Sequence, residues 1–524
     1  MNTTENDVAT TPAEDTGEAR WHRLDRRMLL IRPVLDVVKS IPVLFGALIL
    51  GNGNGWQWIG LVATGLAVFV GVSHVLTSRY RVTGEQVEWR TGLLLRKHRA
   101  VPRDRIRAVD VTSEPKHRLF SLAAVRIGTG RHNHGKGPGK DELVLDAVTK
   151  QEARRLRTLL LHRKAEPAAE TAETAEVTGS TGDAPAGPPE IPLAAVDRRW
   201  LRYAPFTLSG LAVIGALVGT VYHFAHELHL DPVELGPVRS LADQVTAAPL
   251  WLVVVLAAAA LLVVVSLLSV GGYVLSFWNF RLTREPEGTL HIRRGLITTR
   301  SVSIEEDRLR GAEIKEPLPL RLVGGARATA VASGLHHGGR EDGGGLLLPP
   351  APVARAHEVV ADVLGEDPLG PGLVRHPRRA LHRRLSRAIL GTALLAAVLA
   401  GLAWIGFLPD WPWLTACALL PVAALVGWDR YRALGHRLTG RHLVTRSGSL
   451  ARSTAVIRCD GLTGIVLDRS FFQRRAGLVT LIAPIAAGKG GYQVVDVAES
   501  DALALADAAL PGLLTPFLTR NSRD

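Results

Sequence analysis

The chain has 524 residues, 62 Lys+Arg against 49 Asp+Glu for a formal net charge of +13, and it is 47% hydrophobic with only 21% charged residues. Its two cysteines, Cys417 and Cys459, exclude a disulfide framework and any multi-cysteine zinc or iron–sulfur site. Basic charge combined with surplus hydrophobicity points to a nucleic-acid binder or a membrane protein rather than a plain soluble enzyme.

Apolar runs decide for the membrane, since a bilayer-crossing helix needs about 20 apolar residues. Residues 1–19 are polar and acidic, without the apolar core of a secretory signal, and read as a disordered start. Between Ser40 and Ser78 there is no Asp, Glu, Lys or Arg, and Gly51-Asn52-Gly53-Asn54-Gly55 breaks the run. A helical hairpin is expected over 33–77. A second hairpin is expected over 203–278, from the uncharged runs Tyr203–His226 and Pro249–Trp278. A third is expected over 388–428, turning at Pro409-Asp410-Trp411-Pro412. Six spans in three hairpins are predicted. Tryptophans such as Trp56, Trp58, Trp251, Trp278, Trp411 and Trp428 stand near the span ends, where amphipathic rings prefer the interface.

Orientation follows from the basic residues. Arg20, Arg23, Arg26, Arg27 and Arg32 precede the first span, and Ser78–Lys164 carries 21 Lys+Arg against 9 Asp+Glu. The loop from Glu227 to Val245 has four acidic residues against Arg239 alone. The positive-inside rule therefore places both termini and the long segments in the cytoplasm.

The long segments, over 78–164, 279–366 and 434–518, share a pattern. Each opens with an aromatic or His, then Arg, an apolar residue and Thr: Tyr80-Arg81-Val82-Thr83, Phe280-Arg281-Leu282-Thr283 and His436-Arg437-Leu438-Thr439. Each then reaches a glycine (Gly92, Gly295, Gly448) and, thirteen residues later, the steps Arg105-Ile106, Arg308-Leu309 and Gly461-Leu462. A small apolar strand, a glycine-rich loop and an amphipathic helix close each segment. Equal spacing in three places predicts three copies of one α+β unit, a small sheet or barrel capped by a C-terminal helix. Residues 165–190, Ala/Glu/Thr/Pro-rich with six acidic and no basic residues, read as a flexible acidic linker.

On these residues, with the step Pro102-Arg103-Asp104-Arg105-Ile106, the chain resembles the bacterial pleckstrin-homology-like membrane proteins of the YdbS/YdbT type, in their three-unit form. The second and third units lack the proline of that step. The resemblance implies three cytoplasmic pleckstrin-homology-like β-barrels, each capped by a helix, on a polytopic α-helical membrane protein of the bacterial inner membrane without catalytic activity.

Candidate chemistry is confined to the first unit. Gly130-Arg131-His132-Asn133-His134-Gly135-Lys136-Gly137 approaches a phosphate-binding loop but has Gly137 where the magnesium-binding hydroxyl belongs, and it lies between strands. Arg131, Lys136 and Lys140 with backbone amides are candidate contacts to a lipid headgroup or polyphosphate; a solvated hairpin loop beside an anionic leaflet is the plainer alternative. Arg96, Lys97, Arg99, Arg103 and Arg105 form a basic run suited to anionic lipid. Without interleaved aromatics for stacking, nucleic acid is not expected as a partner. The histidine pairs His132/His134 and His336/His337 lack further ligands, so neither metal nor cofactor is expected. The expected function is a non-enzymatic membrane module that binds a protein partner or anionic headgroups in a membrane assembly, with envelope stress or peptide resistance as compatible settings. A transporter or export component is the alternative, and a membrane-bound enzyme ranks last, for want of paired acid, base or nucleophile.

Overall fold

A computed structural model describes residues 76–92, 97–106, 108–128, 142–161, 190–207, 249–286, 288–335, 345–370 and 372–512, together with 21–23, 25, 65, 69, 215 and 219. The chain divides into two compact units, Met1–Arg105 with Leu145–Val148, and Ile106–Val144 with Thr149–Asp524.

The first unit holds an antiparallel sheet of β1 (His22–Arg23), β2 (Arg79–Val82), β3 (Gln86–Thr91) and β4 (Lys97–Pro102), in that order. Tyr80 and Val87 are buried on adjacent strands, and Arg79 and Arg90, paired with each other, are exposed. Thr83 closes the β2–β3 turn by accepting from Gln86 N at 3.0 Å. On β3 the buried Glu88 accepts from Arg81 at 2.7 Å and Gln86 at 2.8 Å, and the Arg81 bond holds its carboxyl below the usual range. A 3-10 turn, Arg103–Arg105, ends the strand.

The larger unit begins with β5 (Ala108–Ser113), α1 (Pro115–Leu119), β6 (Leu122–Gly128), the ends of β7 (Glu142–Thr149), whose Leu145–Val148 count with the first unit, and α2 (Lys150–Leu161). After β8 (Ile191–Ala195), a 3-10 helix over Arg198–Thr207 and the long helix α3 (Leu250–Phe277) come β9 (Arg281–Glu285), β10 (Thr289–Arg294) and β11 (Thr299–Glu305). A 3-10 turn (Glu306–Arg308), β12 (Leu309–Pro317), α4 (Leu318–Leu322), β13 (Gly325–Ala332), β14 (Leu346–Pro352) and α5 (Val353–Leu364) follow. Helices α6 (Arg378–Trp404), α7 (Trp411–Ala418) and α8 (Leu420–Arg432) lead to β15 (Gly435–Thr439), β16 (His442–Ser447) and β17 (Ala451–Arg458). The order then recurs with a 3-10 turn (Cys459–Gly461), β18 (Val466–Asp468), α9 (Phe471–Ala476), β19 (Leu478–Pro484), β20 (Gly491–Ala498) and α10 (Glu499–Ala509).

Closed barrels are not what these strands build. The larger unit contains open sheets, in which β6-β5-β11-β10-β9-β8 run in one order and β14-β13-β12-β17-β16-β15 in another, with β18-β19-β20 apart. Each later three-strand set is thus joined to the fourth strand of the segment before it. The expectation of self-contained barrels fails because alternation in the sequence fixes which face of a strand is buried but says nothing about which edge it pairs with.

The main core lies under these sheets. Leu282, Leu290, Ile304, Ile314, Ala326, Val359 and Val360 are buried in one cluster, and Leu443, Val479, Leu481, Val494, Val497 and Leu505 form another. Tyr203 and Ala204, at the start of the expected second hairpin, are buried in the first cluster, so that end of the apolar run packs against the sheet.

Among the described residues, three helices are long and apolar enough to cross a membrane: Trp251–Phe277, Arg378–Trp404 and Trp411–Arg432. Apart from residues 65, 69, 76, 77, 215 and 219, the spans expected over 33–77 and over the remainder of 203–226 lie outside the described residues. The ends of each apolar region are nevertheless brought together. His22 pairs with Tyr80, Ala195 with Arg281 and Val374 with His436, each antiparallel.

Candidate anion site

A cavity of about 810 Å³ opens where the last membrane-compatible helix meets the sheet. Trp428, Tyr431 and Arg432 at the end of α8, Arg446 of β16, Arg452 and Thr454 of β17, Glu316 of β12, His357 of α5 and the segment Leu369–His376 contribute to its lining. Four arginines (Arg375, Arg432, Arg446, Arg452) face one carboxylate, Glu316, so the cavity carries net positive charge.

The sheet register creates part of this arrangement. Arg452 lies opposite Glu316 across the β12–β17 ladder, with Nη1 3.7 Å from Oε2. Among the described residues, Arg452 Nε is buried without a hydrogen-bond partner. Arg446 donates from Nε to the Ala433 carbonyl at 3.2 Å. Burial, with the charge of Arg452 added, pushes the Arg446 guanidinium below its ordinary value against the pull of Glu316. An anion in the cavity would offset both effects. Arg432 stacks over the Trp428 ring at 4.7 Å, which places a cation beside an aromatic at the end of a membrane-compatible helix.

His376, one of the lining residues, is paired with a second buried histidine. His376 Nε2 and His436 Nδ1 lie 3.1 Å apart, His376 Nδ1 is 3.1 Å from the Asp496 carbonyl, and Tyr431 donates to the His376 carbonyl at 3.0 Å. Burial, reinforced by His376, brings His436 down to about 4, and burial also lowers His376. His376 Nδ1 faces a carbonyl oxygen and must donate, so in the neutral ring its Nε2 accepts from His436 Nδ1, and each ring carries one proton.

The basic residues singled out in the first segment are elsewhere. Arg99 is half-buried on β4, and Arg103 donates to the Gly84 carbonyl at 3.2 Å from the 3-10 turn, which also carries the exposed Arg105. Lys97 belongs to β4, but its side chain, and Arg96, Arg131, Lys136 and Lys140 entirely, lie outside the described residues. The arginine cavity carried no sequence signal. Its residues are scattered from Glu316 to Thr454, and only the pairing of β12 with β17 brings them together. Among the described residues no group of three His, Cys, Asp or Glu is placed to hold a metal ion.

Comparison with known proteins places these features. Residues 34–164 and 385–510 match the family model described as "Bacterial PH domain". The chain carries bacterial PH domains. It is also 24% identical over 496 residues to the "UPF0699 transmembrane protein YdbT" of Bacillus subtilis (strain 168), covering 92% of this chain and 96% of the relative. No solved structure matches. The sequence resemblance to the YdbS/YdbT type thus holds, and this is a membrane protein with bacterial PH domains, homologous to YdbT. The cavity is built largely from α5 and β12 of the middle segment, which lies between the two matched regions, with α8 and strands of the third segment.

Proposed function

We propose that the protein is a non-enzymatic integral membrane module. Three hairpins, six spans in all, carry three copies of one PH-like unit on the cytoplasmic face of the inner membrane, and the basic cavity binds an anionic lipid headgroup within a membrane assembly. The single observation that carries this reading is the arrangement of four arginines against one carboxylate at the end of a membrane-compatible helix. A cation near an anionic leaflet contributes about 1 kcal/mol. Four converging on one cavity select for a phosphate-bearing group rather than for charge in general, because guanidinium forks match phosphate oxygens.

The test is purification of the full-length protein from its native membrane in mild detergent, with lipids and proteins identified together. Co-purification of one anionic lipid, lost in Arg446→Gln with Arg452→Gln, supports the reading. Equal lipid content in both proteins sinks it. A stoichiometric protein partner that persists in the arginine variant, and disappears when 78–164 is deleted, would favour the partner-binding alternative. The joining of successive segments through sheet edges favours assembly as a second role.

A further inference from the structure

The two junctions between successive segments are built alike. The 3-10 turns Arg103–Arg105, Glu306–Arg308 and Cys459–Gly461 mark equivalent positions, so Ala108, Gly311 and Gly464 correspond, as do Val101, Ile304 and Ile457. At the first junction Ile304 pairs with Ala108 and Ser303 with Val109. At the second, Ile457 pairs with Gly311 and Val456 with Ala312. The register is the same.

A second contact repeats as well. Arg118 of α1 donates to the Leu296 carbonyl, in the loop opened by Gly295. Arg321 of α4 donates to the Ser449 carbonyl, in the loop opened by Gly448, at 3.2 Å. These glycines have φ of 103° and 100°, and Gly92 in the first segment has 108°. The junction is therefore a strand ladder plus an arginine clamp on a glycine-opened loop.

Both halves of this junction occur once more, without a paired strand among the described residues, at opposite ends of the chain. Among the described residues β4 is the last strand of its sheet, and β18 is the edge of the β18-β19-β20 sheet. Where β12 keeps nine residues and β5 six, β18 keeps three. A fourth strand templated on one side only has lost most of its ladder. The space beside it is open. A Cβ at Gly311 would meet the Val456 carbonyl oxygen at 2.0 Å, whereas at the equivalent Gly464 it would meet nothing within 4 Å. Arg474, equivalent to Arg118 and Arg321, is exposed and makes no side-chain hydrogen bond among the described residues.

We infer that β18 and Arg474 of one copy dock onto β4 of a second copy, adding its sheet in the register of the internal junctions. This inference rests on the reading of three equivalent units. The pairing sets Val101 against Gly464, Ala100 against Ile465, and Lys97 against Asp468. The charges favour this head-to-tail arrangement over like with like, because β4 carries Lys97 and Arg99 while β18 ends in Asp468. Unpaired edges invite strand addition, and a head-to-tail contact propagates into rings or open chains of copies.

The test uses the full-length protein in native membranes, in a Cys417→Ser, Cys459→Ser background. Ala100→Cys with Ile465→Cys, oxidised, is expected to give a disulfide-linked ladder of dimers and larger species, while each single variant stays monomeric. Single variants that dimerise as well, a disulfide closed within one chain, or no product each overturn the inference. Ser303→Cys with Val109→Cys is the internal counterpart; its disulfide forms within one chain if the three-unit register is right, whatever the outcome between copies. Independently, Arg474→Glu in the natural sequence should weaken association about tenfold, the loss of one charged hydrogen bond. An unchanged mass by light scattering in detergent also overturns the inference.

Discussion

Arg384, in the first turns of the membrane-compatible helix α6, donates from Nε to Oδ2 of Asp496 at 2.8 Å, and Asp496 is fully buried on β20. Arg383 donates to the other carboxylate oxygen, which also accepts from Gln473 at 2.9 Å. This membrane-compatible helix is thereby fixed to the sheet of the third segment through one carboxylate. Removing one member of such a buried pair costs about 3–5 kcal/mol, because the remaining charges stay buried. Asp496→Ala should unfold the third segment or release the helix, seen as faster proteolysis of residues 435–510 in membranes. Asp496 has φ of 60°, a conformation that Asn also tolerates. Asp496→Asn keeps the backbone and removes only charge, so an intermediate effect is expected.

The buried histidines set a pH window. Burial brings His436 down to about 4, and burial with the nearby charges of Arg157 and Arg293 does the same to His291. An unfolded histidine titrates near ~6.5, so the unfolded chain binds more protons between those values. Stability from these neutral rings is fully present above about pH 6.5 and falls as pH drops toward 4, by about 3 kcal/mol for each ring at the low end. Thermal melting in detergent across pH 4–8 measures this. His436→Phe should flatten its share of the slope, and an unchanged slope would contradict the assignment.

Gly311 and Gly464 give a matched pair. Gly311 has φ of 153° and lies against the Val456 carbonyl, so Gly311→Ala must push the β12 and β17 backbones apart. The expected cost is about 1–3 kcal/mol, within the range for forced backbone strain. Gly464→Ala meets open space and should leave the melting temperature of a monomeric preparation unchanged. Equal destabilisation by both would mean the equivalence of these positions is wrong.

Arg321 ties the second segment to the end of the last membrane-compatible helix. Its Nη2 reaches both carboxylate oxygens of Asp429 at 3.1 Å, and Ser449 donates to the same carboxylate at 2.7 Å. Arg321→Ala leaves Asp429 with the hydroxyl alone and should cost about 1–3 kcal/mol. Arg321→Lys, which cannot reproduce the fork, should recover only part of that loss. Hydrogen exchange of 445–452 reports the change locally.

Much of the architecture is legible in the chain itself. Uncharged runs such as Pro249–Trp278 announce α3, since few soluble helices stay apolar that long. Glycines at equal spacing mark the turns, because Gly92, Gly295 and Gly448 adopt a backbone that other residues resist. The resemblance to PH-type membrane proteins follows from the same spacing. Which strand edge meets which was decided only in three dimensions. A strand's side-chain pattern records its buried face, while its edge offers the same backbone groups to any partner, so β5 meeting β11 and β12 meeting β17 left no trace in composition. The arginine cavity shares that origin: Arg452 faces Glu316 because a ladder aligns them, and nothing in the stretch between them foretells it.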